Sequence, residues 1–245
     1  MTAALTINAP TAHHALLGST PNTLAGIYQD HVNMAVWERQ VDTSLTMECQ
    51  ALLTEKSFTG HRLTLPANKL RHLDKALPDL ASYPHLKADI RLLAEMFSCL
   101  FGLRAIGLRL TPLTDSMCPK FHVDRVPCRL ITTYVGTGTQ WLPHESVDRS
   151  KLGVGSNGLS EAQSGVYSSP HAIQTLHPGD VALLKGEAWE DNEGAGLVHR
   201  SPTVEPGEQR LLLTLDFIES AGSEMSTPDD SYSIPPFSLD SETVD

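Results

Sequence analysis

The sequence contains no apolar run that approaches the roughly 18 residues a membrane helix needs. It also lacks the basic start and continuous apolar stretch of a secretory signal. The four cysteines show no CxxC pairing, which fits a reducing environment. We therefore expect a chain without a membrane span, located in the reducing cytoplasm.

Basic residues are few, with 18 Lys and Arg against 29 Asp and Glu and a formal net charge of −11. The segment 219–245 holds seven acids and no Lys or Arg, so the rest of the chain carries only −4. This balance argues against the phosphate attraction on which most nucleic-acid binders rely. We expect no nucleic-acid partner, and we predict that the acidic tail is disordered.

A length of 245 residues suits a single domain with a substantial core. We expect a loose N-terminal leader or an edge extension over residues 1–22. One domain follows over 23–218, divided into a helical layer (23–102) and a β core (103–218). The acidic tail, 219–245, completes the chain.

Three segments of the helical layer have apolar residues at helical spacing. The first is 23–41. The second, 45–56, follows an Asp42-Thr43-Ser44 sequence typical of an N-cap. The third, 88–102, carries an apolar stripe and ends at Gly102, which we predict as the C-cap.

After Gly102 the chain changes to short runs rich in β-branched and alternating residues, punctuated by Gly and Pro. This pattern predicts strands and a barrel or sandwich. The glycine-rich stretch 136–170 interrupts it, and long insertions of this kind are commonly lids or binding loops. The predicted strands are 105–110, 129–135, 181–184, 197–201 and 211–218.

Two short motifs carry chemistry. His122 and Asp124 are two residues apart, so in an extended strand their side chains lie on the same face. His199 follows 77 positions after His122. Two histidines and one carboxylate with open positions are the ligand set of non-haem Fe(II) oxygenases. We predict that His122, Asp124 and His199 are the catalytic metal ligands.

The predicted strand that begins near Arg210 has two unlike faces. Leu211, Leu213, Leu215 and Phe217 form an apolar face that can pack on the helical layer. The other face carries Arg210, Leu212, Thr214 and Asp216. A buried Arg is costly unless it is paired, and its planar fork suits a carboxylate, so a bound diacid would supply the partner. On the strand 129–135, Leu130, Thr132 and Tyr134 share one face, and we expect Tyr134 to reach the pocket.

With these motifs the chain resembles the 2-oxoglutarate- and Fe(II)-dependent oxygenase superfamily over residues 105–218. The run from Leu176 to Leu184, which contains Pro178-Gly179-Asp180, is similar to the turn and strand that precede the distal histidine there. The Trp37 region and the segment 121–143 also resemble a bacterial family of unknown function. The Arg-x-Ser found in some branches is missing after Arg210.

The superfamily resemblance implies a mainly β fold, a double-stranded β-helix (cupin-like jelly roll) flanked by helices. It implies that His122, Asp124 and His199 hold Fe(II) and that Arg210 binds the distal carboxylate of 2-oxoglutarate. Tyr134 or Thr214 would add a hydrogen bond to that carboxylate. The implied activity is hydroxylation or demethylation of an unidentified small molecule or protein side chain.

Other interpretations stay open at this point. Zinc accepts His and Asp ligands, and Cys118 and Cys128 flank the His-Asp pair. The alternatives are therefore a zinc hydrolase, or a non-catalytic cupin-like module that binds zinc or a small ligand. Such a module has no need of Arg210. Trp141 and His144 are further candidates for the substrate entrance.

Overall fold

The computed structural model describes residues 13–218. In this range the α-helices are α1 (Thr43–Thr54), α2 (Leu73–Ala76), α3 (Pro84–Phe101) and α4 (Glu161–Ser164). The strands are β1 (His14–Gly18), β2 (Val32–Trp37), β3 (His61–Pro66), β4 (Ala105–Leu113), β5 (Cys128–Val135), β6 (Gln140–Leu142), β7 (Gln174–Thr175), β8 (Val181–Lys185), β9 (Val198–Arg200) and β10 (Arg210–Phe217). The predicted acidic tail lies outside the described residues.

The strands form two sheets. The larger has the order β1-β2-β8-β5-β10-β4-β3, and the smaller has the order β7-β6-β9. His122 extends the smaller sheet through an antiparallel bridge to His199 in β9. From β4 onward the chain visits both sheets in turn, with β4, β5, β8 and β10 in the larger one. This arrangement is a double-stranded β-helix, and it confirms the predicted fold class.

Strand β10 separates the two hydrophobic cores. Leu211, Leu213 and Leu215 are buried among side chains of the helical layer, while Leu212 packs inside the barrel. Burying each of these leucines contributes about 1.5–3 kcal/mol, and a slip of one residue would exchange the two faces. Arg210, Thr214 and Asp216 share the face of Leu212 and so point into the barrel, as predicted.

The helical layer covers the outer face of the larger sheet. Leu45 and Leu52 of α1 and Ile90, Leu93 and Phe97 of α3 belong to the core on that side. The Asp42 side chain accepts a hydrogen bond from the Ser44 amide at 2.6 Å, as expected of an N-cap. Gly102 ends α3 with φ 60° and ψ 32°, the left-handed conformation of a C-cap. Both predicted caps are confirmed.

The prediction of a helix over 23–41 is wrong. Residues Pro21–Tyr28 form a 3-10 helix, and β2 follows within the larger sheet. β2 lies between β1 and β8, and its residues Val32 to Val36 are all buried. A strand that is paired on both edges and buried on both faces can have apolar residues at any spacing. The helical spacing of the apolar residues in 23–41 was therefore not evidence against a strand.

Four further strands lie where none was predicted, and two of them, β6 and β7, form the smaller sheet with β9. Residues 14–18, within the expected leader, form β1, which pairs with β2 in parallel as the edge strand of the larger sheet. Of the two expectations for the N-terminal segment, the edge extension therefore describes residues 14–18. Residues 1–12 lie outside the described range. At the opposite edge β3 pairs with β4. No helix in the described part of the chain is long and apolar enough to cross a membrane.

Candidate active site

The three predicted ligands come together at one end of the barrel. One ligand atom from each of His122, Asp124 and His199 lies within 4.8 Å of the others. The Nε2 atom of His122 is 3.7 Å from Oδ1 of Asp124, and the Nε2 atom of His199 is 3.5 Å from Oδ2. Among the described residues this is the single group of three or more His, Cys, Asp or Glu side chains close enough to hold a metal. Neither Cys118 nor Cys128 belongs to it.

Backbone contacts orient both imidazole rings. His122 Nδ1 is 2.9 Å from the carbonyl oxygen of Lys120, and His199 Nδ1 is 3.2 Å from that of Leu197. A carbonyl oxygen can only accept, so Nδ1 carries the proton in each ring. The lone pair is then on Nε2, which faces Asp124, and a metal would bind there.

The protonation states suit a cation. Burial lowers the pKa of His199 to about 4, so this imidazole is neutral at neutral pH. Burial opposes the ionisation of Asp124, but the nearby Arg129 guanidinium outweighs it and the pKa of Asp124 is lowered. Neutral histidines and an ionised carboxylate are the forms that bind Fe(II) or zinc.

A largely buried arginine, with 12% of its side chain exposed, holds the carboxylate of Asp124. Arg129 of β5 donates from Nη1 to Oδ2 of Asp124 at 2.8 Å. Its other nitrogens, Nε and Nη2, donate to the two oxygens of Asp216 at 2.7 and 3.2 Å. Asp216 and Arg129 are direct partners in the pairing of β10 with β5. Sequence reasoning missed Arg129, because it assigned the opposite face of this strand, that of Leu130 and Tyr134, to the barrel interior.

Arg210 lies at the other end of β10, and its side chain is buried inside the barrel with 1% of the residue exposed. Nε donates to the carbonyl oxygen of Thr137 at 2.6 Å, and Nη2 is 3.4 Å from Oγ1 of Thr133. Nη1 has no hydrogen-bond partner among the described residues. Gly136 makes room for this side chain, because a Cβ there would lie 2.7 Å from Cγ of Arg210.

The guanidinium of Arg210 has no described carboxylate as a partner. Burial alone lowers its pKa to about 10, so it remains charged at neutral pH. An unpaired buried charge costs several kcal/mol. An anion bound inside the barrel would supply the missing partner, so these residues fit an acidic cosubstrate.

The structure does not bring Tyr134 to this site. Its side chain packs with the helical layer, and its hydroxyl donates to Oδ2 of Asp89 in α3 at 2.7 Å. The expectation that it reaches the pocket is therefore wrong. Leu130, Thr132 and Tyr134 share one face of β5, as predicted. The opposite face, with Ile131 and Thr133, is the one that faces the barrel interior. The register is the reason, because Leu130 is opposite Leu215 on the apolar face of β10.

Thr214 does face the interior. It lies on β10 between Arg210 and Asp216, opposite Ile131 of β5, and is nearly buried. Thr133, which sequence reasoning did not select, contacts Arg210 directly. Trp141 is the direct partner of His199 in the pairing of β6 with β9, so its indole lies on the same side of the smaller sheet and packs against the inner core.

Residues 18–216 match the sequence model of a protein family that is described as Protein of unknown function (DUF1826). The chain belongs to this family. The DUF1826 match spans β2 to β10 and all the site residues named above. No curated protein sequence matches the chain.

Solved structures with a similar fold are distant in sequence. AtDAO1, dioxygenase for auxin oxidation 1 from Arabidopsis thaliana in a 2-oxoglutarate complex, is 9% identical with a TM-score of 0.49 and coverage of 89% of this chain and 98% of that one. The rice dioxygenase for auxin oxidation is 13% identical, with a TM-score of 0.44 over 84% of this chain and 82% of that one. HygX from Streptomyces hygroscopicus with iron bound is 12% identical, with a TM-score of 0.44 over 81% and 86%.

In this DUF1826 chain a carboxylate of the insertion between β6 and β7 contacts the two segments that carry His122 and His199. Glu161 accepts hydrogen bonds from the backbone amide of Phe121 and from the guanidinium of Arg200. Phe121 precedes the predicted ligand His122, and Arg200 follows the predicted ligand His199. Val166 and other apolar side chains of the insertion also pack in a small core with Phe121, Leu142 and Val198. The insertion is therefore an ordered layer next to the site.

Proposed function

We propose that this protein is an Fe(II)- and 2-oxoglutarate-dependent oxygenase that hydroxylates or demethylates a small molecule or a protein side chain. Bound Fe(II) would supply the activation of dioxygen. His122, Asp124 and His199 would hold it from one side and leave the opposite side open. The proposal keeps the cytoplasmic location and the absence of a nucleic-acid partner expected from the sequence.

The observation that carries the proposal is the unpaired guanidinium of Arg210 in the same barrel as the ligand triad. A zinc module or a zinc hydrolase would use the triad but has no need of a buried Arg without a carboxylate. The guanidinium would bind the distal carboxylate of 2-oxoglutarate through two donors. Thr133 and Thr214 line the same face and would add hydrogen bonds to it.

Strand β10 connects the two parts of the proposed site. Arg210 lies at its start, and Asp216, six residues further on, is linked to Asp124 through Arg129. The guanidinium and the ligand triad are therefore supported by the same strand.

Calorimetric titration of Mn(II)-loaded protein tests the proposal without turnover. The probes are 2-oxoglutarate and 2-oxobutyrate, which lacks the distal carboxylate. Wild type should prefer the diacid by roughly ten- to hundredfold, as expected for a charge-assisted bidentate pair. The preference should disappear in Arg210→Met. A wild-type protein that binds metal but does not distinguish the two acids would contradict the proposal and favour the zinc module.

A further inference from the structure

One buried side chain connects the metal carboxylate to the rest of the barrel. Arg129 uses three of its nitrogens, with one hydrogen bond to Asp124 and two to Asp216. Asp216 is 2% exposed, and Arg109 approaches its Oδ2 to 3.9 Å. Arg129 and Asp216 make a planar, bidentate contact, the geometry that an arginine fork holds most firmly.

The hydrogen bond from Arg129 to Asp124 distinguishes the two oxygens of Asp124. Each oxygen lies near one histidine, with Oδ1 3.7 Å from Nε2 of His122 and Oδ2 3.5 Å from Nε2 of His199, but only Oδ2 also accepts the hydrogen bond from Arg129 at 2.8 Å. A cation is disfavoured on the Oδ2 side because the guanidinium repels it and because one lone pair of Oδ2 is already used. Oδ1 is consequently the oxygen available to a metal.

The Asp124 main chain is held as well. Its carbonyl oxygen accepts from the Glu187 amide at 2.9 Å, in the loop between β8 and β9. Since both the main chain and Oδ2 have fixed partners, the carboxylate cannot rotate freely toward a metal.

We propose that Arg129, held by Asp216, is a positioning residue that restricts Asp124 to one-oxygen coordination of the metal. This inference rests on the proposed function. One-oxygen coordination would matter because each further protein oxygen on the metal would leave less room for the 2-oxo acid and dioxygen. His122, His199 and one oxygen of Asp124 would hold the metal with three protein atoms, whereas a chelating Asp124 would add a fourth.

The test uses the Co(II)-substituted full-length protein and its Arg129→Met variant. Visible ligand-field absorption reports the coordination of Co(II), and calorimetry reports the affinities for Co(II) and for 2-oxoglutarate. We expect the variant to bind Co(II) but with an altered ligand-field spectrum, and to bind 2-oxoglutarate roughly ten- to hundredfold more weakly. Arg125→Gln is the matched control, because Arg125 is exposed and adjacent to Asp124. It should match wild type in all three readouts.

Two further variants keep the test valid if Arg129→Met does not fold. Arg129→Lys retains the charge without the fork, and Asp216→Asn weakens the fork while preserving shape. Both should change the spectrum in the same direction, to a smaller extent. A wild-type spectrum and wild-type 2-oxoglutarate affinity in the Arg129 variants would overturn the inference. An equal loss in Arg125→Gln would also overturn it, by assigning the effect to charge alone. Wild-type protein that does not bind Co(II) would overturn the proposed function itself.

Discussion

His122 and His199 are paired across the smaller sheet, each donating its backbone amide to the carbonyl oxygen of the other at 3.0 Å. The two imidazoles are separated by 77 positions in the sequence, yet the sheet itself places their ring centroids 4.6 Å apart. The backbone pairing therefore holds the two rings next to each other. Ligands held in this way lower the entropic cost of binding a metal.

The first prediction concerns acid stability of the metal-free protein. His199 has an ordinary pKa of 6.5 when unfolded and about 4 when folded, because it is buried. Between these values the unfolded chain binds a proton that the folded chain does not. The free energy of unfolding should therefore fall as the pH decreases from about 6.5 to about 4, by up to about 3 kcal/mol at roughly 1.36 kcal/mol per pKa unit.

Urea denaturation in the presence of a chelator, repeated across this pH range, measures the effect. His199→Gln should flatten the dependence, whereas His171→Gln, at an exposed position of the insertion, should leave it unchanged. A wild-type slope retained in His199→Gln would assign the acid sensitivity to other groups.

The second prediction separates stability from ligand binding at Arg210. Arg210→Met removes an unpaired buried charge, so the variant should lose no more than about 1 kcal/mol of unfolding free energy and can gain stability. It should nevertheless lose the thermal stabilisation that 2-oxoglutarate gives to the metal-loaded wild type. Arg129→Met should behave differently, because it leaves Asp124 and Asp216 buried without their partner, and should cost about 3–5 kcal/mol.

Thermal and urea unfolding of the three proteins, with and without 2-oxoglutarate, check this contrast. Destabilisation of Arg210→Met as large as that of Arg129→Met would mean that Arg210 is a structural residue with a partner of its own. The acid-binding role would then lose its main support.

The structure assigns different roles to Tyr134 and Thr133, although they are neighbours on β5. Tyr134→Phe removes the hydrogen bond to Asp89, which keeps its ion pair with Arg39 at 2.6 Å. We expect a loss of about 1 kcal/mol in stability and unchanged affinity for 2-oxoglutarate. Thr133→Val should keep the stability nearly constant and weaken 2-oxoglutarate binding by a few-fold, roughly 1 kcal/mol. Calorimetry on the Mn(II)-loaded proteins measures the affinity for 2-oxoglutarate. Weaker binding in Tyr134→Phe and unchanged binding in Thr133→Val would contradict the prediction.

The contact made by Glu161 predicts coupling between the insertion and the metal centre. Glu161→Gln keeps the size of the side chain but weakens its charge-assisted bonds to Phe121 and Arg200. The insertion should then be cleaved faster by a protease under native conditions, and bound metal should slow the cleavage less than in wild type. Glu145→Gln, at an exposed position of the same insertion, serves as the control. Equal cleavage rates in the two variants would contradict the coupling.

Local patterns predicted a large part of this molecule. Alternation along β10 separated Arg210, Thr214 and Asp216 from the apolar face of Leu211, Leu213 and Leu215, because the side-chain period of a strand is two whatever its neighbours are. The same rule placed His122 and Asp124 on one face. The caps at Asp42 and Gly102 were equally local, since each satisfies backbone groups within one turn.

Features that depend on pairing between distant segments were not predictable in this way. β2 is buried on both faces, so its periodicity carried no strand signal. Tyr134 was assigned to the wrong face because alternation determines which residues share a face but not which face is inside. That choice follows from the register between β5 and β10. The role of Arg129 depends on the same register, since its partner Asp216 lies 87 positions away.

The most direct test of the account is an anaerobic titration of the Fe(II)-loaded protein with 2-oxoglutarate, followed by visible absorption. Chelation of the 2-oxo acid by Fe(II) produces a weak metal-to-ligand charge-transfer band. We predict that the band appears in wild type, is absent in His199→Ala, and requires far more 2-oxoglutarate in Arg210→Met. If wild type binds Fe(II) and no band forms at any 2-oxoglutarate concentration, the triad and Arg210 do not make up an oxygenase site, and the account is contradicted.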